Sequence, residues 1–201
     1  MFQPRDSISV AARKDGVAGN SRLTAALGAV LLVLLAAEGA TIPFIGQLRE
    51  EHILIGVLLL GPIAAKLAST GYRFARYYLG SEAYRRKGPP PLVLRLLAPG
   101  VVFTTVALFG TGVALLLVGR PNDQLIFLHQ ASFIAWVALM TVHVLGHMLE
   151  LPALALADWK RGEPRERRLA GAGARLAAVG SAITLGTALV LLSLSAAGAW
   201  G

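Results

Sequence analysis

Residues 52–72 read HILIGVLLLGPIAAKLASTGY. A membrane-spanning helix needs about 20 mostly apolar residues. This stretch meets that length while carrying His52 at its start and Lys66 deeper in. Four further stretches have the same character, at about 22–45, 92–118, 125–151 and 169–197. The expected fold is therefore all-α: a polytopic membrane protein with five transmembrane helices. Composition points the same way. Hydrophobic residues make up 55% of the chain and charged residues 15%, where a soluble domain carries about 25% charged. The mean hydropathy is +0.63. A chain of 201 residues leaves no room for a sizeable soluble domain beside five spans.

The loops set an expected orientation. Basic residues gather before the first span (Arg5, Arg13, Lys14, Arg22), after the second (Arg73, Arg76, Arg85, Arg86, Lys87, Arg95) and after the fourth (Lys160, Arg161, Arg165, Arg167, Arg168, Arg175). The two other loops hold only Arg49 and Arg120. The positive-inside rule puts the basic loops in the cytoplasm, so the N-terminus is expected inside and the C-terminus outside. This reading places the chain in the plasma membrane. It also accounts for the net charge of +8 without a nucleic-acid partner. Residues 1–21 are polar and are expected to form a disordered cytoplasmic tail. Gly88-Pro89-Pro90-Pro91 cannot continue a helix and should lead extended into the third span, while Pro62 and Pro99 should bend the spans that hold them. With no cysteine, disulfides, iron–sulfur clusters and thioether-linked haem are excluded.

In this topology the second and fourth spans run in the same direction. His52 and His129 then lie at one depth near the outer surface. Ionisable groups inside a membrane are costly and mark function, and two imidazoles at one depth can clamp a flat iron porphyrin. Fourteen residues after His129 comes His143, and fourteen after His52 comes Lys66. That spacing is roughly 21 Å along a helix and returns to nearly the same face, about 40° short of full turns. Both helices thus carry two storeys: His over Lys on one, His over His on the other.

This layout resembles the membrane b-type cytochromes, four-helix bundles that hold haem between paired histidines and pass electrons, often from quinol. The resemblance covers the first four spans, residues 22–151, and makes the fifth an extra C-terminal helix. It implies that His52 and His129 are the outer haem ligands and that His143 matches one inner ligand. Lys66 stands where the second inner histidine belongs, so one haem b per chain is expected, with the inner site vacant. The stretch from Leu67 to Tyr78 and the Arg86-Lys87-Gly88-Pro89-Pro90-Pro91 block also look like those of actinobacterial integral membrane proteins of unassigned function. That second resemblance implies a similar five-span layout.

Other polar groups have alternative readings. Glu38, in the outer part of the first span, can accept a hydrogen bond from a ligating imidazole, relay protons, or sit neutral against a neighbouring helix. Lys66 can snorkel to the cytoplasmic face or pair with Glu150 or a haem propionate. His143 and His147, at i and i+4, can bind zinc or copper, or line the inner bundle. Gly56, Ala131 and Ser132 are small residues near the outer histidines that would let a porphyrin approach. Tyr72, Phe74, Tyr77, Tyr78 and Tyr84 among the arginines read as an interfacial belt on lipid headgroups.

The expected function is electron transfer through a six-coordinate haem, with quinol or a redox partner protein supplying electrons. The chain would be at most the membrane subunit of an oxidoreductase, since it lacks the soluble domain that would bind a flavin or nicotinamide. The alternative is a cofactor-free scaffold or transporter component whose histidines and Glu38 serve packing, or proton or metal passage.

Overall fold

The computed structural model describes residues 4–89, 91–148, 150–156, 158 and 171–200, with side chains from Gly16 onward. Every regular element among them is helical. The order is α1 (Pro4–Thr41), a 3-10 turn (Ile42–Phe44), α2 (Arg49–Tyr78), α3 (Glu82–Lys87), α4 (Leu92–Val118), α5 (Asp123–His147), α6 (Leu151–Ala155) and α7 (Ala172–Gly198). Five helices are long and apolar enough to cross a membrane: Gly16–Phe44, Arg49–Tyr78, Leu92–Val118, Asp123–His147 and Ala172–Gly198. Many large apolar side chains on them are exposed, as lipid-facing helices allow.

Two boundaries differ from the sequence reading. The backbone over residues 4–21 is helical, continuous with the first span, where a disordered tail was expected. From Val17 onward this segment packs against α2. Asn20 bonds Ser69 in both directions, and Thr24 Oγ1 lies 2.5 Å from Ser69 Oγ. Those polar contacts supply what composition could not show. The fourth span stops at His147, and the short α6 follows a break there. Residues 159–170, including Lys160, Arg161, Arg165, Arg167, Arg168 and the expected start of the fifth span, lie outside the described residues.

Local chemistry explains the helix ends. Gly88, Gly119 and Gly171 all have positive φ, which side chains disfavour, and they stop or precede helices there. Pro91 is extended at φ −47° and ψ 145°, as the proline run dictates. Asn122 caps α5 by accepting from the Leu125 N–H at 3.0 Å.

The helices pack as two units. In one, α1, α2 and α7 share a core of Leu27, Val179 and Ala182, flanked by Leu23, Ala26, Val30 and Ala65. Here α2 and α7 come into backbone contact. A Cβ on Gly61 would lie 2.1 Å from the Ala182 carbonyl oxygen, and one on Gly186 would lie 2.2 Å from that of Leu58. The C-terminal helix is thus a central packing partner of α2, where the sequence reading made it an addition to a four-helix bundle. Small residues decide this, because lipid supplies no hydrophobic drive between helices and close approach is the main source of attraction. The other unit is the α4–α5 hairpin, pinned by the buried Trp136 Nε1–H donating to Thr105 Oγ1 at 3.0 Å. The units meet along a loose seam between α2 and the hairpin.

The helix directions give the molecule two unlike ends. At one end Arg22 and Arg175 converge on Asp158, at 3.0 Å and 2.5 Å, tying α1 and α7 to the segment after α6. Lys87 of α3 donates to Ser21 of α1 beside them. At the other end lie the α1–α2 connection, the α4–α5 connection and the end of α7, where Arg49 donates to the Trp200 carbonyl at 3.1 Å.

Candidate functional site

The second end holds His52, on the first turn of α2, and His129, on the second turn of α5. Their ring centres lie 6.4 Å apart across the seam, with ring planes 88° to one another. The alternation of helix directions brings them level: α2 and α5 both start at this end. Each imidazole is oriented by its own helix neighbours.

Around His52, the Thr41 hydroxyl donates to the Glu38 carbonyl at 2.6 Å. Its proton is therefore committed, and Thr41 Oγ1 accepts from His52 Nδ1 at 2.8 Å. Glu38 Oε1 stands 3.2 Å from the same nitrogen. Gly56, one turn along α2, admits that carboxylate, since a Cβ there would meet Glu38 Oε1 at 3.2 Å. The second carboxylate oxygen, Oε2, is buried without a partner among the described residues.

His129 is held by α4. Its Nδ1 lies 3.1 Å from the Leu108 carbonyl and 3.1 Å from Thr111 Oγ1. A carbonyl only accepts, so Nδ1 carries the proton. Thr111 donates back to the Ala107 and Leu108 carbonyls at 2.7 Å and 2.9 Å, leaving its oxygen to accept. Gly112 lets the ring in against α4, where a Cβ would sit 3.2 Å from His129 Cε1.

Both imidazoles thus use Nδ1 for orientation. Neither Nε2 has a hydrogen-bond partner among the described residues. This arrangement leaves two Nε2 lone pairs for a metal, with the N–H of each ring tied to a fixed acceptor. The ring-centre separation is close to that of two imidazoles sharing one metal ion. Two metal–nitrogen bonds of roughly 2 Å and two ring radii of about 1.1 Å add to about 6 Å, against the observed 6.4 Å. Below the pair the seam stays open as an apolar groove, lined by Leu60, Ile63 and Leu67 on α2 and by Val106, Phe109 and Val113 on α4.

Thr41, Thr111, Gly112 and the Leu108 carbonyl escape a reading of ionisable residues alone. The two threonines carried a signal nonetheless: a ligating imidazole needs an acceptor for its second nitrogen, and hydroxyls inside apolar spans supply one. Ala131 and Ser132 contribute nothing comparable, as Ser132 bonds back to the Leu128 carbonyl of its own helix.

The inner storey is arranged differently. Lys66 donates to the Thr24 carbonyl of α1 at 2.6 Å, close to Gly28 and Leu151. It forms no ion pair with Glu150 among the described residues, and its amine is directed to α1 instead of facing His143 as a mate. His143 and His147 lie on successive turns in an edge-to-face contact, with ring centres 5.0 Å apart. Among the described residues no cluster of three or more His, Cys, Asp or Glu gathers to hold a metal.

No family model, curated protein or solved structure matches the chain.

Proposed function

We infer that the chain is a membrane protein that binds one haem b between His52 and His129 and serves electron transfer. The observation that carries this reading is the pair of rings 6.4 Å apart, each tethered through Nδ1. When bound, haem held by His52 and His129 would supply a one-electron centre suited to electron shuttling. The chain's own residues would set the properties of that centre. Thr41 and Glu38 orient the His52 ring and enrich it with electron density, while Leu108 and Thr111 do the same for His129. Gly56 and Gly112 keep both rings close to their acceptors.

The orientation belongs to the same reading. The basic end is cytoplasmic by the positive-inside rule, and the histidine pair then lies near the outer surface, where quinol or an external redox protein can reach it. The test is a purified sample of the full chain. Expected are a Soret band, a reduced-minus-oxidised spectrum of low-spin haem, and a pyridine-haemochrome ratio near one per chain. Separate His52→Ala and His129→Ala variants should lose haem or turn it high-spin. Colourless protein from haem-replete cells would leave the cofactor-free scaffold as the better reading. A reporter fused after Gly201 should be active only in its extracytoplasmic form.

A further inference from the structure

His143 and His147 take no part in the outer histidine pair. They sit four residues apart on the last turns of α5, which sets both side chains on one helix face. Helix α5 starts at the outer end, so these turns lie toward the basic end of the molecule. Neither ring has a hydrogen-bond or ion-pair partner among the described residues, and His143 Nδ1 is buried without one. Each neutral imidazole carries one lone pair for a metal or a donor. Two such lone pairs, one helical turn apart, are unspent.

The ring centres lie 5.0 Å apart, with planes 64° to one another. With metal–nitrogen bonds of roughly 2 Å and ring radii of about 1.1 Å, two imidazoles at a tetrahedral angle place their centres about 5 Å apart. The outer pair, at 6.4 Å, has instead the spacing of ligands on opposite sides of an ion. Aiming both inner nitrogens at one point takes a turn of one ring about χ2, a torsion with broad wells. No hydrogen bond among the described residues holds either ring against that turn.

The backbone that carries the two rings is fixed. Gly146, between them in sequence, admits Leu94 of α4, since a Cβ there would meet Leu94 Cδ2 at 2.7 Å. After His147 the chain turns back, and the Glu150 N–H donates to the His147 carbonyl at 3.2 Å. That turn keeps an exposed carboxylate beside the second imidazole. No third His, Cys, Asp or Glu stands with the pair among the described residues, so water must complete a metal's coordination. Charge sets the strength. Lys66 lies within electrostatic reach of both imidazoles and Arg73 of His147, and both oppose a cation, while Glu150 favours one at His147. The Lys66 amine itself is turned to the Thr24 carbonyl of α1. Two imidazoles under that balance hold a metal in the micromolar range, weaker than a closed structural site.

We propose that His143 and His147 bind one divalent transition-metal ion of the zinc or copper type at the basic end of α5, with water in the remaining positions. Imidazole suits both metals. The site is separate from the outer pair and does not depend on haem. A bound ion would clip together the last two turns of α5, where the helix breaks before α6.

The full chain is purified in detergent without a polyhistidine tag, stripped with chelator and titrated calorimetrically with zinc(II) and, separately, copper(II). The His52→Ala variant is titrated beside it, so that the outer pair cannot supply the ligands, and His129→Ala serves where His52→Ala does not fold. Saturable binding of one ion per chain is expected in that background. The paramagnetic resonance spectrum of bound copper should show splitting from imidazole nitrogen. Adding His147→Gln or His143→Gln should weaken binding by at least about tenfold, and His147→Gln decides alone where His143→Gln does not fold. Undiminished binding in these variants would overturn the proposal, as would a failure to saturate by about 1 mM metal. So would one ion per two chains, which would mean that two copies supply the ligands. Colourless protein that still binds copper through His143 and His147 would remove the haem reading and leave this site standing.

Discussion

Helix α2 presents two unlike faces. Gly61 lies half a turn round from His52, nine residues at about 100° each. On the Gly61 side α7 approaches until backbone oxygen and glycine Cα touch, and no side chain fits between. On the His52 side the hairpin stands off, leaving imidazoles and a groove. The difference shows how a small membrane protein can be firm and functional at once. One face of a helix takes the packing, so the opposite face is free to keep polar groups that packing alone would exclude.

The largest expected effect comes from disrupting the firm face. Gly61→Val would drive a side chain into the Ala182 carbonyl, and overpacking of this kind costs about 3 kcal/mol. The variant should lose most of its folded yield in detergent, together with any haem. Gly110→Ala tests the other face, since nothing lies within 4 Å of a Cβ there. It should change stability by less than about 0.5 kcal/mol. Similar losses from both changes would mean that the seam is packed as tightly as the α2–α7 contact.

A second prediction concerns the basic end, where Asp158 closes the α1–α2–α7 unit. The carboxyl is 8% exposed and sits between two guanidiniums. Hydrogen bonds from Arg175 hold it below its ordinary value of 3.8, against burial, with Arg22 adding to the effect. A depressed carboxylate stabilises the fold at any pH above its unfolded value, roughly 3.9, and that stability is lost as pH falls through the lower folded value. Asp158→Asn should therefore cost about 2 kcal/mol at pH 7. The gap from the parent protein should close only below about pH 4. Thermal unfolding of both proteins from pH 3 to pH 7 checks the sign, and a gap that closed near pH 6 would contradict it.

A smaller effect is expected inside the hairpin. Trp136→Phe removes the donor to Thr105 and leaves that hydroxyl its bond to the Val101 carbonyl at 2.7 Å. The cost should be about 1 kcal/mol, seen as earlier unfolding, with any bound haem retained. Loss of haem in this variant would show that the hairpin's internal packing, and not the seam, positions His129.

Much of this arrangement is legible in the chain itself. Apolar run lengths mark the five spanning helices, because a bilayer demands about 20 residues per crossing. The parity of the spans puts His52 and His129 at one end, and the i, i+14 spacing puts Lys66 and His143 toward the other. Such patterns survive because helix geometry is local and periodic. The helical course of residues 4–21 was not legible, since their polar composition conceals the contacts with Ser69 that hold the inner part of the segment. Only the tertiary structure decided that α7 packs against α2, because Gly61 and Gly186 lie far apart in sequence and no periodicity links them. It also decided that the Lys66 amine turns to the Thr24 carbonyl, and that Thr41 and Leu108 take the imidazole protons. Each of those outcomes depends on which helices are neighbours, and in lipid that choice rests on close fit between side chains and backbones, which no single stretch of sequence contains.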